Sequence, residues 1–162
     1  MNIKLKGKYL HYLNYKIKCA IGKNGISKNK REGDLKTPSG IFKLKKVFYR
    51  KDRIKFVRTP LKKRNIKRNI GWCDDPASKY YNREIKFPFK ESAEKLWRKD
   101  NIYDLIIVLN YNFNPIIKKR GSAIFVHICK KNYLPTKGCV AINKKDMINL
   151  LVNIKNNTKL II

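Results

Sequence analysis

His127-Ile-Cys-Lys-Lys-Asn-Tyr-Leu-Pro-Thr136-Lys-Gly138-Cys139-Val-Ala141 follows directly on the apolar run Gly121-Ser-Ala-Ile-Phe-Val126. Ser122 to Ile128 reads as a buried strand that carries His127 near its end, and Val140-Ala-Ile142 reads as a second, shorter one. Between them, Pro135-Thr136-Lys137-Gly138 is turn chemistry, with Gly138 free to adopt backbone angles closed to other residues. Strand, turn and strand in so short a span point to a β-rich fold. They also set a histidine twelve positions before a cysteine at an exposed turn. A cysteine nucleophile needs a base and backbone N–H groups for an oxyanion, and this stretch offers all three. Thr136 can fix the turn by bonding backbone or imidazole, and Lys137 adds positive charge that favours a thiolate. Cys129, two residues after His127, shares its strand face and lies near the site without being the nucleophile. A disulfide involving Cys129 stays open at this point.

Working toward the C-terminus, Asn143 caps a helix whose apolar residues are Met147, Ile148, Leu150, Leu151 and Ile154, with Asp146 in the first turn. Lys159-Leu-Ile-Ile162 closes as a strand. Toward the N-terminus, Tyr103-Asp-Leu-Ile-Ile-Val-Leu109 is an apolar run of strand length and reads as a central strand. A second short helix is expected over Lys90 to Lys99, with Ala93, Leu96 and Trp97 on one face. Gly71-Trp72-Cys73-Asp74-Asp75-Pro76 through Tyr81-Asn82 has no period and reads as a functional loop. Residues 60–70 read as an exposed basic loop, and Arg53–Thr59 and Ile41–Phe48 as strands. Gly22 to Ser39 is a polar loop ending in Thr37-Pro38-Ser39-Gly40. Residues 2–22 alternate as a hairpin broken near Asn14, with Cys19 buried on a strand. The sum is one domain over residues 1–162, mainly β with two short helices. The lack of regular strand–helix alternation argues against a doubly wound sheet.

Hydrophobic residues make up 43% of the 162 residues, enough for a packed core rather than a disordered tail. The formal net charge is +29. A field of that size favours nonspecific polyanion contact, yet Lys outnumbers Arg more than threefold. Arg is the cation suited to bidentate base recognition, so the balance does not point to a specific nucleic-acid partner. Four dispersed cysteines without a C-x-x-C pair, and two histidines, do not suggest a metal site, and no cofactor is expected. No run has the length of a transmembrane segment, and Met1-Asn-Ile-Lys-Leu-Lys-Gly-Lys8 shows no signal peptide.

The span Gly121-Ser-Ala-Ile-Phe-x-His127 with Pro135-Thr136-x-Gly138-Cys139-Val-Ala141 resembles the L,D-transpeptidase (YkuD-like) catalytic domain, whose signature is a His followed by Ser/Thr-x-Gly-Cys. Lys30-Arg-Glu-Gly-Asp34 with Thr37-Pro38-x-Gly40-x-Phe42 is similar to the N-terminal element of that family, and Gly71-Trp72 through Arg83 to a block of a divergent branch. The resemblance implies a β-sandwich catalytic domain acting on peptidoglycan stem peptides in the cell envelope or periplasm. By position it makes Cys139 the nucleophile, which forms a thioester with a stem tetrapeptide, and His127 the base. Thr136 takes the Ser/Thr position, and the amides around Lys137, Gly138 and Cys139 form the oxyanion hole. Ala141 stands where many members carry Arg. If the 72–82 segment overhangs the site, Asp74 or Asp75 binds the ammonium of a diamino acid. Trp72 or Tyr81 then covers its aliphatic stem, with Asn82 in the same binding block. Two other outcomes stand beside transfer to an amine. One is L,D-carboxypeptidase or wall-amidase chemistry, with water as acceptor. The other is a non-enzymatic basic domain that binds polyanions.

Overall fold

The computed structural model describes residues 1–162, and it is mainly β. The strands are Ile3–Lys6 (β1), Tyr9–Tyr12 (β2), Tyr15–Ala20 (β3), Ile26–Ser27 (β4), Thr37–Pro38 (β5), Ile41–Tyr49 (β6) and Lys62–Asn65 (β7). They continue with Ile70–Cys73 (β8), Glu84–Lys86 (β9), Ala93–Lys95 (β10), Leu105–Leu109 (β11), Phe125–Ile128 (β12), Val140–Ile142 (β13) and Lys159–Ile161 (β14). The one α-helix, Lys144–Asn153 (α1), starts where Asn143 accepts a hydrogen bond from the Asp146 amide at 2.8 Å.

Nine strands pair in the order β11-β12-β13-β3-β2-β1-β14-β6-β7, and β6 also pairs with β11. That extra pairing closes the sheet on itself. The result is barrel-like, where the family resemblance implied a β-sandwich. Closure satisfies edges that short strands would otherwise leave open. A three-stranded sheet, β10-β8-β9, packs outside it.

β11 shows why one run of the sequence is apolar throughout. Leu105, Ile107 and Leu109 point into the larger core with α1, while Ile106 and Val108 point into a second core under the three-stranded sheet. In β12 the same alternation sends Val126 and Ile128 to the first core and Phe125 to the second. His127 shares the face of Phe125, so it opens toward the three-stranded sheet.

Four expected elements differ. Gly71–Cys73, read as the start of an aperiodic loop, lies in strand β8, where it pairs with β9 and β10. The helix over Lys90–Lys99 is strand β10, because the backbone at 93–95 pairs with β8 and the Leu96 amide bonds Ile70 O at 3.1 Å. A ten-residue window with two large apolar residues does not hold a helix against that pairing. Arg53–Thr59 is irregular and buries only Ile54 and Val57. Within the supposed loop 60–70, Lys62–Asn65 pairs in parallel with β6. Its side chains are charged because it is an edge strand with little apolar surface to cover.

Candidate active site

The turn at residues 136–139 is tied down from three sides. Thr136 Oγ1 donates to Cys139 O at 2.6 Å and accepts from the Gly138 amide at 3.1 Å. The Thr136 amide donates to Ile21 O, and the Lys23 amide returns a bond to Thr136 O, both at 2.9 Å. Gly22, between them, donates to the buried Thr37 hydroxyl at 2.8 Å. The Thr37-Pro38 element thus braces the cysteine turn through one intermediate strand end. Gly138 has φ +140°, and a Cβ there would sit 2.8 Å from Lys36 O, so glycine is required twice over.

Cys139 and His127 both line one cavity of about 510 Å³. The Cys139 sulfur accepts from the Phe125 amide at 3.4 Å and its thiol donates to Ala123 O at 3.2 Å. Burial, reinforced by the Glu94 carboxylate, pushes the thiol up to about 12, against the opposing pull of the Phe125 amide and Lys30. Lys30, rather than the exposed Lys137, is the cation within electrostatic reach. It is buried and bonded to Asp34 at 2.7 Å.

His127 Nδ1 lies 2.9 Å from Ile128 O. A carbonyl only accepts, so Nδ1 carries the proton and the Nε2 lone pair is left for the cavity. Burial lowers the imidazole to about 4. The resting pair is therefore a neutral imidazole and a neutral thiol, and no hydrogen bond joins them. Tyr103 packs edge-on against the ring with centroids 5.3 Å apart. The amides of Lys137 and Cys139 donate to no protein atom, while that of Gly138 is taken by Thr136.

The 72–82 segment divides. Asp74 lines the cavity, its Oδ1 accepting from the Ser92 hydroxyl at 2.6 Å. Asp75 does not line it and instead caps a tight turn through the Ala77 amide at 2.8 Å. Trp72, Tyr81 and Asn82 are buried beneath the site and do not line it. Asn82 Oδ1 accepts from Trp72 Nε1 and the Ala123 amide, and its Nδ2 donates to Tyr111 O and Asn112 O. Tyr81 donates to Glu32 at 2.5 Å and accepts from the Gly121 amide at 2.9 Å. Their work is to hold the Gly121–Ala123 approach to β12. A cover over a substrate stem is not where these side chains lie.

Cavity residues that sequence reasoning missed include Lys30, Glu94, Arg98, Tyr103 and Ser122. Lys30 was part of a quoted motif without an assigned role, and Glu94 fell inside the supposed helix. Cys129 does not line the cavity, and all four cysteines are free thiols. No group of three or more His, Cys, Asp or Glu side chains could hold a metal ion.

A family model for the L,D-transpeptidase catalytic domain (YkuD) matches residues 4–162. No curated protein and no solved structure matches the chain. The match takes in the bracing Thr37-Pro38 element, the histidine strand and the cysteine turn together, and on it the chain belongs to the YkuD family of L,D-transpeptidase catalytic domains.

Proposed function

We propose that this chain is a peptidoglycan L,D-transpeptidase that works through a thioester on Cys139, with His127 as its general base. The family acts on peptidoglycan peptides and is cell-wall associated. No helix of the chain is long and apolar enough to cross a membrane. The observation that carries the reading is the shared cavity: one sulfur, one imidazole with its free nitrogen available, and unpaired amides at Lys137 and Cys139.

With both groups neutral at rest, the thiol proton passes to His127 Nε2 as the sulfur attacks, rather than before. The target is the carbonyl carbon joining the third-position diamino acid to the terminal D-residue. The tetrahedral oxyanion is met by the amides of Lys137 and Cys139. Its collapse breaks the C–N bond, and the imidazolium returns its proton to the leaving amine. A thioester remains. An amine from a neighbouring stem then attacks that carbonyl, gives its proton to His127, and expels the Cys139 sulfur, which takes the proton back.

Thr136 and Gly138 act by holding this geometry, and Asp74 is placed to meet the substrate. Asp75, Trp72, Tyr81 and Asn82 support the site from outside the cavity. The test is incubation of the protein with tetrapeptide muropeptides. Cross-linked dimers with loss of the terminal D-residue are expected, and none with Cys139→Ala. Trimmed tripeptides alone would make water the acceptor. No turnover by a folded wild-type protein would remove the reading.

A further inference from the structure

The chain has 40 Lys and Arg against 11 Asp and Glu. The ion pairs engage Asp34, Asp52, Glu84, Asp100 and Asp104. Six acids are in none of them, and three of these line the Cys139 cavity: Glu32, which accepts from the Tyr81 hydroxyl, and the pair Glu94 and Asp74. Of the five basic side chains on the cavity, Lys30, Lys95 and Arg98 are directed elsewhere, while the charges of Arg98 and Lys137 still act on Glu94 at longer range. Arg98 is bonded twice to Asp100, and the Lys95 ammonium lies 5.5 Å from the Phe87 ring centroid.

β10 brings the two acids together. Its Ala93 pairs with Cys73, so Glu94 and Asp74 lie at one end of the three-stranded sheet, and the Asp74 amide bonds Ser92 O. Glu94 Oε1 accepts from the Tyr103 hydroxyl at 2.7 Å, and Oε2 takes no hydrogen bond from the protein. A second sign of a missing ligand lies in the same cavity: the hydroxyl of Ser122, a residue 7% exposed, has no partner. A buried hydroxyl left so costs free energy unless a ligand completes it.

We infer that Glu94 and Asp74 form a subsite for a primary ammonium group of the substrate, with Glu94 the specificity-determining residue. The placement of that ammonium beside the reacting bond rests on Cys139 being the nucleophile. The class of substrate is a peptide whose diamino-acid residue keeps its side-chain amine free. The same contact has a chemical consequence. The Glu94 carboxylate helps to hold the Cys139 thiol protonated. A cation seated on it offsets that field and eases proton loss when the right substrate is bound. Peptides without the amine meet a less reactive sulfur.

Two measurements test this on the full chain. In the first, Cys139 is alkylated with 2-bromoethylammonium and with iodoacetamide, each rate being divided by that of N-acetylcysteine. The normalised rate should favour the cationic reagent by about tenfold. Glu94→Gln, which keeps the acceptor for Tyr103, should abolish most of that preference and speed the neutral reagent; Asp74→Asn should reduce the preference less. Labelling of Cys139 with no charge preference, or with one unchanged in Glu94→Gln, overturns the subsite and leaves the nucleophile standing. Resistance of Cys139 to both reagents, with other cysteines labelled, counts against the nucleophile instead. The second measurement then decides the subsite by itself. It is calorimetry on Cys139→Ala with a stem tripeptide whose diamino-acid amine is free or acetylated. Acetylation should weaken binding about tenfold. Equal affinities overturn the proposal.

Discussion

The turn at residues 136–139 and the segment at residues 72–82 both border the cavity, and they are built in opposite ways. The turn satisfies its own backbone with one hydroxyl, Thr136, and leaves Cys139 on the cavity and the amides of Lys137 and Cys139 without a protein partner. The segment turns its large groups inward, joins Trp72 to Asn82, and presents only Asp74 to the cavity. On the proposed mechanism, the chemistry that must touch a substrate sits on a short, braced turn. The aromatic residues that looked available for binding are the bracing. The difference teaches that Trp, Tyr and Asn in an aperiodic stretch report a need for hydrogen-bonded packing as readily as a need for a ligand.

The contrast breaks most sharply under substitution. Cys139→Ala should lower turnover at least about a thousandfold while the thermal transition stays in place, measured by product analysis and calorimetry. Asn82→Ala should do the reverse kind of damage, removing four hydrogen bonds from a buried side chain. It should cost about 3–5 kcal/mol in denaturant unfolding. A loss of activity without a loss of stability would return Asn82 to substrate binding.

The imidazole sets a pH dependence that sharpens the same comparison. His127 is held near 4 in the fold against 6.5 for an ordinary histidine. Between those values the unfolded chain binds more protons than the folded one, so stability rises with pH across the window. The His127 contribution should amount to about 3 kcal/mol between pH 4 and 6.5. It should disappear in His127→Gln, read from urea midpoints at several pH values. At the small end, Asp75→Ala removes only an exposed turn bond to the Ala77 amide. It should change stability by about 0.5 kcal/mol or less and leave KM alone, whereas Asp74→Asn should raise KM.

The parts of this fold that could be read from the sequence are those in which a short pattern has one physical meaning. The run Leu105–Leu109 is apolar on both faces because it lies between two cores. Asn143 followed by Asp146 starts α1, and the strand–turn–strand around Cys139 is local. What escaped depends on partners distant in the chain. Lys62–Asn65 is a strand only because β6 lies beside it, and Ala93–Lys95 only because β8 does. Barrel closure rests on the β6–β11 pairing, which no local pattern announces. Glu94 was hidden for the same reason, since its place on the cavity follows from the β10–β8 register. Lys30 was visible within its motif, but its burial beside Gly138 could not be read from it.

The most direct test of Cys139 as the nucleophile and His127 as its base is the mass of the protein after exposure to a tetrapeptide donor, or to a carbapenem-type β-lactam, with the modified peptide mapped. A thioester on Cys139 is expected, absent in Cys139→Ala and formed far more slowly in His127→Gln. Modification at Cys129, Cys73 or Cys19 with Cys139 left as a free thiol would contradict the account.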